Sequence, residues 1–264
     1  MMGSCYNNLV IAPFDSLFVF ILGLIFGSFL NVVIYRYNTG SAGWRIIGGR
    51  SQCLSCGKLL HWYELFPLLS FLWQNGRCRG CGSKVSWQYP LVEFVTGVSF
   101  FLVWQLPLPL ISKLLYLVVV LLLVVIATYD FRHFIIPDLF VYSFIILALI
   151  NAVITGSLIP NLLTGLGLAA FFWLLWLVSR GKWLGFADGK LALGIGLLLG
   201  PYAGISAVVL AFWIGAAIGV ALILFSRLSA RFGYVTMKSE LPFAPFLIIG
   251  LALTIFLNLN VLPF

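Results

Sequence analysis

Residues Ser16 to Tyr35 read SLFVFILGLIFGSFLNVVIY, 20 residues without a charge. As a helix rising about 1.5 Å per residue, such a run crosses the roughly 30 Å hydrocarbon core of a bilayer. Asp15 stands before it, where a secretory signal carries a basic segment, and no small-residue cleavage site follows. The run therefore reads as a retained transmembrane helix. Further apolar segments follow at 90–106, 114–129, 139–155, 161–179, 190–201, 203–225 and 243–262. The expectation is an all-α polytopic membrane protein with about eight transmembrane helices. Residues 190–225 are interrupted at Gly200-Pro201, where a helix breaks. Two short helices and one span with a re-entrant piece both fit that stretch.

Composition agrees. The 264-residue chain is 62% hydrophobic and 8% charged, against about 45–50% and 25% in soluble domains. Its net charge of +8 is explained by topology, and no nucleic-acid motif accompanies it. With eight alternating spans, fourteen of the fifteen lysines and arginines fall on one side, and only Lys113 on the other. Basic loops stay in the cytoplasm. Both termini then face away from it, with membrane lipid as the surrounding partner. The chain divides into 1–35, an N-terminal segment with the first span; 36–89, a polar basic cytoplasmic insert; and 90–264, the remaining membrane domain.

The insert contains Cys53-x2-Cys56 and Cys78-x2-Cys81, each pair followed by glycine. Two such pairs supply four thiolates to a tetrahedral zinc ion, a closed and therefore structural site. Two disulfides are the alternative, disfavoured in a reducing cytoplasm. Cys5 lies on the other side without a partner and reads as incidental.

There are seven carboxylates: Asp15, Glu64, Glu93, Asp130, Asp138, Asp188 and Glu240. Ionisable groups in or beside spans are costly and mark function by default. Asp130 ends an apolar helix, where the helix dipole disfavours a carboxylate; pairing with Arg132 is its bland reading. Asp138 follows Pro137 and fits an N-cap. Asp188, in Gly185-Phe186-Ala187-Asp188-Gly189-Lys190, also fits an N-cap, although the glycines permit close backbone approach and Lys190 sits two residues on. Two carboxylates brought together cannot both ionise easily. One then keeps a proton while the other activates water, the chemistry of aspartic peptidases. An ion or metal transporter is the competing class, and a zinc-bearing membrane scaffold without catalysis a third.

These motifs together resemble the type IV prepilin peptidases, bifunctional leader peptidases and N-methyltransferases of the bacterial inner membrane. Gly27-Ser28-Phe29-Leu30-Asn31 through Arg36 resembles the first-span signature. Arg50-Ser51-x-Cys53-x2-Cys56, Pro67-Leu68-Leu69-Ser70, Gly76-Arg77-Cys78-x2-Cys81 and Tyr89-Pro90-Leu91-Val92-Glu93 continue it. Asp130 through Pro137-Asp138, Gly185-Phe186-Ala187-Asp188 and Leu241-Pro242-Phe243-Ala244-Pro245-Phe246 complete it. Ala187 and Ala244 stand where the family pattern has glycine. The resemblance implies that Asp130 and Asp188 are catalytic, with Asp138 and Lys190 supporting. It also implies cleavage of basic leaders from type IV prepilin or pseudopilin precursors at a glycine–phenylalanine junction on the cytoplasmic face. Methylation of the new N-terminus from S-adenosylmethionine is implied by resemblance alone, with Glu64, Lys84 and Glu93 as the candidate residues.

Overall fold

The computed structural model describes residues 13–38, 49–228, 242–259 and 261. Cys5, Arg45, Arg231, Lys238 and Glu240, used in the sequence reading, lie outside the described residues. The chain forms two compact units, Met1–Lys113 and Leu114–Phe264. All regular elements among the described residues are helical, apart from two isolated β-bridges.

The first unit is built on α1 (Pro13–Asn38) and α3 (Gln88–Gln105). They run antiparallel: Gln105 Nε2 donates to Ser16 Oγ (3.1 Å), and Asn31 Nδ2 donates to the Tyr89 carbonyl (3.2 Å). The backbones touch at Gly27, where a Cβ would lie 2.7 Å from the Glu93 Cα. Small residues of this kind let membrane helices approach. Between the two helices lies the polar insert, with a 3₁₀ turn at Trp62–Glu64 and the short α2 (Leu69–Trp73). Its two cysteine turns are built alike. The Cys53 amide donates to the Lys58 carbonyl and the Gly57 amide to the Cys53 carbonyl; Cys78, Ser83 and Gly82 repeat the pattern, every bond at 2.9 Å. Gly57 and Gly82 both take a φ of +71°, which only glycine adopts cheaply.

The second unit contains the greater part of α4 (Leu110–His133) and all of α5 (Asp138–Ile154), α6 (Leu158–Ser179), α7 (Phe186–Leu199), α8 (Pro201–Leu228) and α9 (Ala244–Leu257). On α5, Val141, Phe144, Ala148 and Ala152 face inward, while Leu139, Ile146 and Val153 face outward. Both faces are apolar, as expected of a helix whose outer surface meets lipid. The short α7 is the innermost element: Leu191, Ala192, Ile195, Leu197 and Leu198 are all buried. Gly194 leaves room for the buried ring of Phe144, which would lie 2.4 Å from an added Cβ.

The eight expected apolar segments coincide with α1 and α3 to α9, with ends shifted by a few residues. Among the described residues, four helices are long and apolar enough to cross a membrane: Phe14–Tyr37, Leu110–His133, Leu158–Ser179 and Pro201–Leu224. Asp138–Ile154 and Ala244–Leu257 are apolar but shorter. The 190–225 stretch resolves into two helices. Gly200 breaks the chain with a φ of +77°, and Pro201 opens α8, where its missing N–H costs nothing.

Candidate active site and metal centre

The inward stripe of α4 carries Leu115, Val119, Leu123 and Ile126. Asp130 is the next member of that series, one turn on, so the helical repeat that buries the apolar residues also buries the carboxylate. It is 5% exposed. Its Oδ2 accepts a hydrogen bond from the Ala244 amide at 3.2 Å, at the N-terminus of α9. Pro245 marks that helix start. Asp130 thus turns to a backbone donor rather than to Arg132. A helix N-terminus presents unpaired amides and partial positive charge, which offsets the unfavourable position of Asp130 at the end of its own helix.

Asp188 occupies the corresponding stripe of α7, ahead of Leu191, Ala192, Ile195 and Leu198, and is also 5% exposed. It is not an N-cap. Gly185 caps α7, and the Asp188 Oδ2 reaches back to accept from the Gly185 amide at 2.9 Å. Both belong to the second unit, Asp130 near the C-terminal end of α4 and Asp188 in the first turn of α7. In each, the second carboxyl oxygen accepts no hydrogen bond from the described residues.

The N-cap expectation for Asp138 is corrected as well. Pro137 caps α5, and Asp138 makes no capping bond. Its Oδ1 instead accepts from Lys190 Nζ at 2.6 Å. The Lys190 ammonium also lies over the rings of Tyr142 (5.0 Å) and Phe186 (5.6 Å).

In the first unit, the Sγ atoms of Cys53, Cys56, Cys78 and Cys81 all lie within 4.8 Å of one another, and none is in a disulfide. Cys53 and Cys81 are 3.9 Å apart. Tetrahedral zinc with bonds of about 2.3 Å places its sulfurs about 3.8 Å apart, so the four cysteines can bind a metal ion. The amides of Cys56 and Ser55 pull the Cys53 thiol down to about 6. The Lys58 amide favours the Cys56 thiolate, yet its hydrogen bonds with Cys53 and Cys81 hold that thiol up to about 11. Four thiolates do not coexist at this spacing without a cation among them.

Glu64, Lys84 and Glu93 are not joined by any hydrogen bond or ion pair. The buried Glu64 accepts from the His61 amide (2.9 Å) and Lys58 Nζ (3.0 Å). Those contacts, the His61 amide first, hold its carboxyl below the usual glutamate range. Glu93, also buried, accepts from the Leu68 amide at 2.8 Å. Lys84 is exposed. Ala244 is the site residue that sequence reasoning missed. Its contribution is a backbone amide, a role that the family resemblance at position 244 did not reveal and that only Pro245, which sets the start of α9, hints at.

Two family models match the chain. The bacterial Peptidase A24 N-terminal domain covers residues 21–106, and the type IV leader peptidase family covers 117–220. A prepilin leader peptidase/N-methyltransferase of Dickeya chrysanthemi is 32% identical over 90% of this chain and 91% of its own length. A protein of the same name from Bacillus subtilis is 33% identical over 88% and 90%. A third, from Myxococcus xanthus, is 46% identical over 47% of this chain and 36% of its own length. No solved structure matches. With both halves matched in order and full-length relatives above 30% identity, this bacterial membrane protein belongs to the type IV leader peptidase family.

Proposed function

We propose that the chain is a membrane aspartic endopeptidase that removes the basic leader from type IV prepilin or pseudopilin precursors, with Asp130 and Asp188 as its catalytic dyad. One of the two is ionised and takes a proton from water as the water oxygen attacks the scissile carbonyl carbon. The other is protonated and hydrogen-bonds the carbonyl oxygen as charge develops there. The observation that carries this reading is the matched pair of inward-facing carboxylates. Each is held through one oxygen by an amide at a helix start, and each has the other oxygen without a hydrogen-bond donor among the described residues. A fixed carboxylate with one open oxygen is equipped to meet water on one side and a peptide on the other.

In this reading the four long apolar helices cross the inner membrane, and the four shorter ones, α3, α5, α7 and α9, cross or enter it. The insert and both aspartates lie at the cytoplasmic face, and 90–264 performs the proteolysis, between the 36–89 insert and the C-terminus. The leader is basic and the mature segment apolar, so the scissile bond lies at the same boundary as the dyad. Zinc on Cys53, Cys56, Cys78 and Cys81 organises the insert. Methylation of the new N-terminus by S-adenosylmethionine is the second activity, with Glu64, Lys84 and Glu93 as candidates. Both oxygens of Glu64 and one of Glu93 already accept from protein donors.

The test is cleavage of a prepilin-like substrate by the full chain in detergent or liposomes. Asp130→Asn and Asp188→Asn each abolish leader removal while the protein still inserts. Cleavage retained by either variant sinks the dyad.

A further inference from the structure

The first turn of α7 carries Asp188, and that turn is gripped from two sides. On the α6 side, the Phe186 ring stacks on Trp173 (5.5 Å, 12°) and meets Trp176 edge-on (5.4 Å). Trp173 Nε1 also donates to the Phe186 carbonyl at 3.3 Å. The indole fills the space above Gly189, where a Cβ would come within 2.4 Å of Nε1. On the α5 side stands the Lys190 pair. The Lys190 side chain is 15% exposed and bonded to Asp138 at 2.6 Å, while Asp138 remains 62% exposed. A cation held by a carboxylate and by two ring faces together is fixed in place more firmly than in a surface ion pair.

Two roles are open to a lysine two residues from a catalytic carboxylate: altering its charge, or holding its helix. Residues at i and i+2 point to different faces of a helix. Lys190 is directed at α5, where Asp138 takes its ammonium and the Tyr142 ring lies beneath it. Its contacts are therefore those of a residue that holds the helix. We propose that Asp138, Lys190 and the Tyr142 ring form a clip that fixes the first turn of α7 against α5, making Asp138 and Lys190 positioning residues for Asp188. This inference rests on the dyad reading above. Its energetic logic is that of preorganisation: a displacement of about 1 Å at a reacting group costs up to about a hundredfold in rate without weakening substrate binding.

The test uses the full chain with a prepilin-like substrate, with rates expressed per folded enzyme. Lys190→Met and Asp138→Asn each lower kcat by roughly tenfold to a hundredfold and leave KM within about twofold. Lys190→Arg keeps a cation for Asp138 and retains kcat within about threefold of the parent. The double variant Asp138→Asn/Lys190→Met loses no more than the worse single one, because the pair acts as a unit. If Lys190→Met does not fold, Tyr142→Leu takes its place. That change removes one ring beside the ammonium, spares the ion pair, and lowers kcat by about threefold to tenfold. Parental kcat in Lys190→Met (or in Tyr142→Leu where it stands in), a change confined to KM, or losses that multiply in the double variant would overturn the clip. Asp188→Asn measured alongside tests the dyad on its own: cleavage there removes the dyad reading, whereas an inactive Asp188→Asn with a fully active Lys190→Met removes the clip alone.

Discussion

Asp130 is gripped by the main chain of residue 244, so trimming the buried side chain there to glycine leaves the donor in place. Ala244→Gly, which installs the family's residue, is expected to leave cleavage within a few-fold of the parent. It should cost about 1 kcal/mol of stability from added backbone freedom. Parallel measurement of thermal unfolding and cleavage separates the two effects, and a loss of cleavage out of proportion to the stability change contradicts the backbone role. Glu64 makes a different kind of prediction. Its carboxyl titrates below the usual glutamate range when folded, chiefly through the His61 amide and then Lys58. A lowered carboxyl pKa stabilises the fold above the unfolded value of about 4.3, and that contribution is lost as pH falls through the lower folded value. Protease resistance of the insert should therefore decline in that acidic window. Glu64→Gln should weaken the insert at neutral pH and remove this part of the acid dependence.

At the scale of the element, two helices meet where no side chain fits. A Cβ on Gly250 of α9 would lie 2.2 Å from the Ala207 carbonyl oxygen of α8. Backbone cannot yield as a side-chain tip does, so Gly250→Ala must push α9 away from α8, at about 1–3 kcal/mol. Because α9 also provides the Ala244 amide, the variant is expected to lose cleavage along with stability; a stable, fully active Gly250→Ala would show that α9 placement is not coupled to the site. The cysteine turns behave oppositely, since each is short, polar and without a core of its own. If the proposed zinc site is filled, chelation or Cys53→Ser should release the metal and make the insert protease-sensitive, read by metal analysis and limited proteolysis. Elements of both kinds were legible in the sequence. The uncharged runs located the helices, Gly200-Pro201 located the α7–α8 break, and the paired Cys-x2-Cys-Gly units gave the cluster its four members. The fate of Asp138 was not legible. Proline before aspartate favours a cap locally, but the winning contact is to Lys190, far along the chain, and only helix packing brings them together. Asp188 is similar: its sequence position fits a cap, and the structure places it three residues inside the helix.

Across the whole molecule, sequence set the order of apolar and basic segments but not the membrane depth of each helix. α7 has 14 residues, about 21 Å at 1.5 Å per residue, which is short for a 30 Å core; its apolar run alone did not reveal that it would be the buried centre of its unit. The basic-residue asymmetry makes a prediction at this scale. A cysteine placed at Lys84 should react with a membrane-impermeant reagent only from the cytoplasmic side, and one at Lys113 only from the opposite side, in cells whose other cysteines are accounted for. Reaction of both from one side would show that segment 90–106 does not cross the membrane, and a swap of the two sides would reverse the expected orientation. The bond from Ala244 to Asp130 also reaches across most of the second unit's sequence, and this has a consequence for biosynthesis. While α9 is still in the ribosome, Asp130 lacks this donor, so this end of the candidate site is completed only once the last described helix has packed onto its unit.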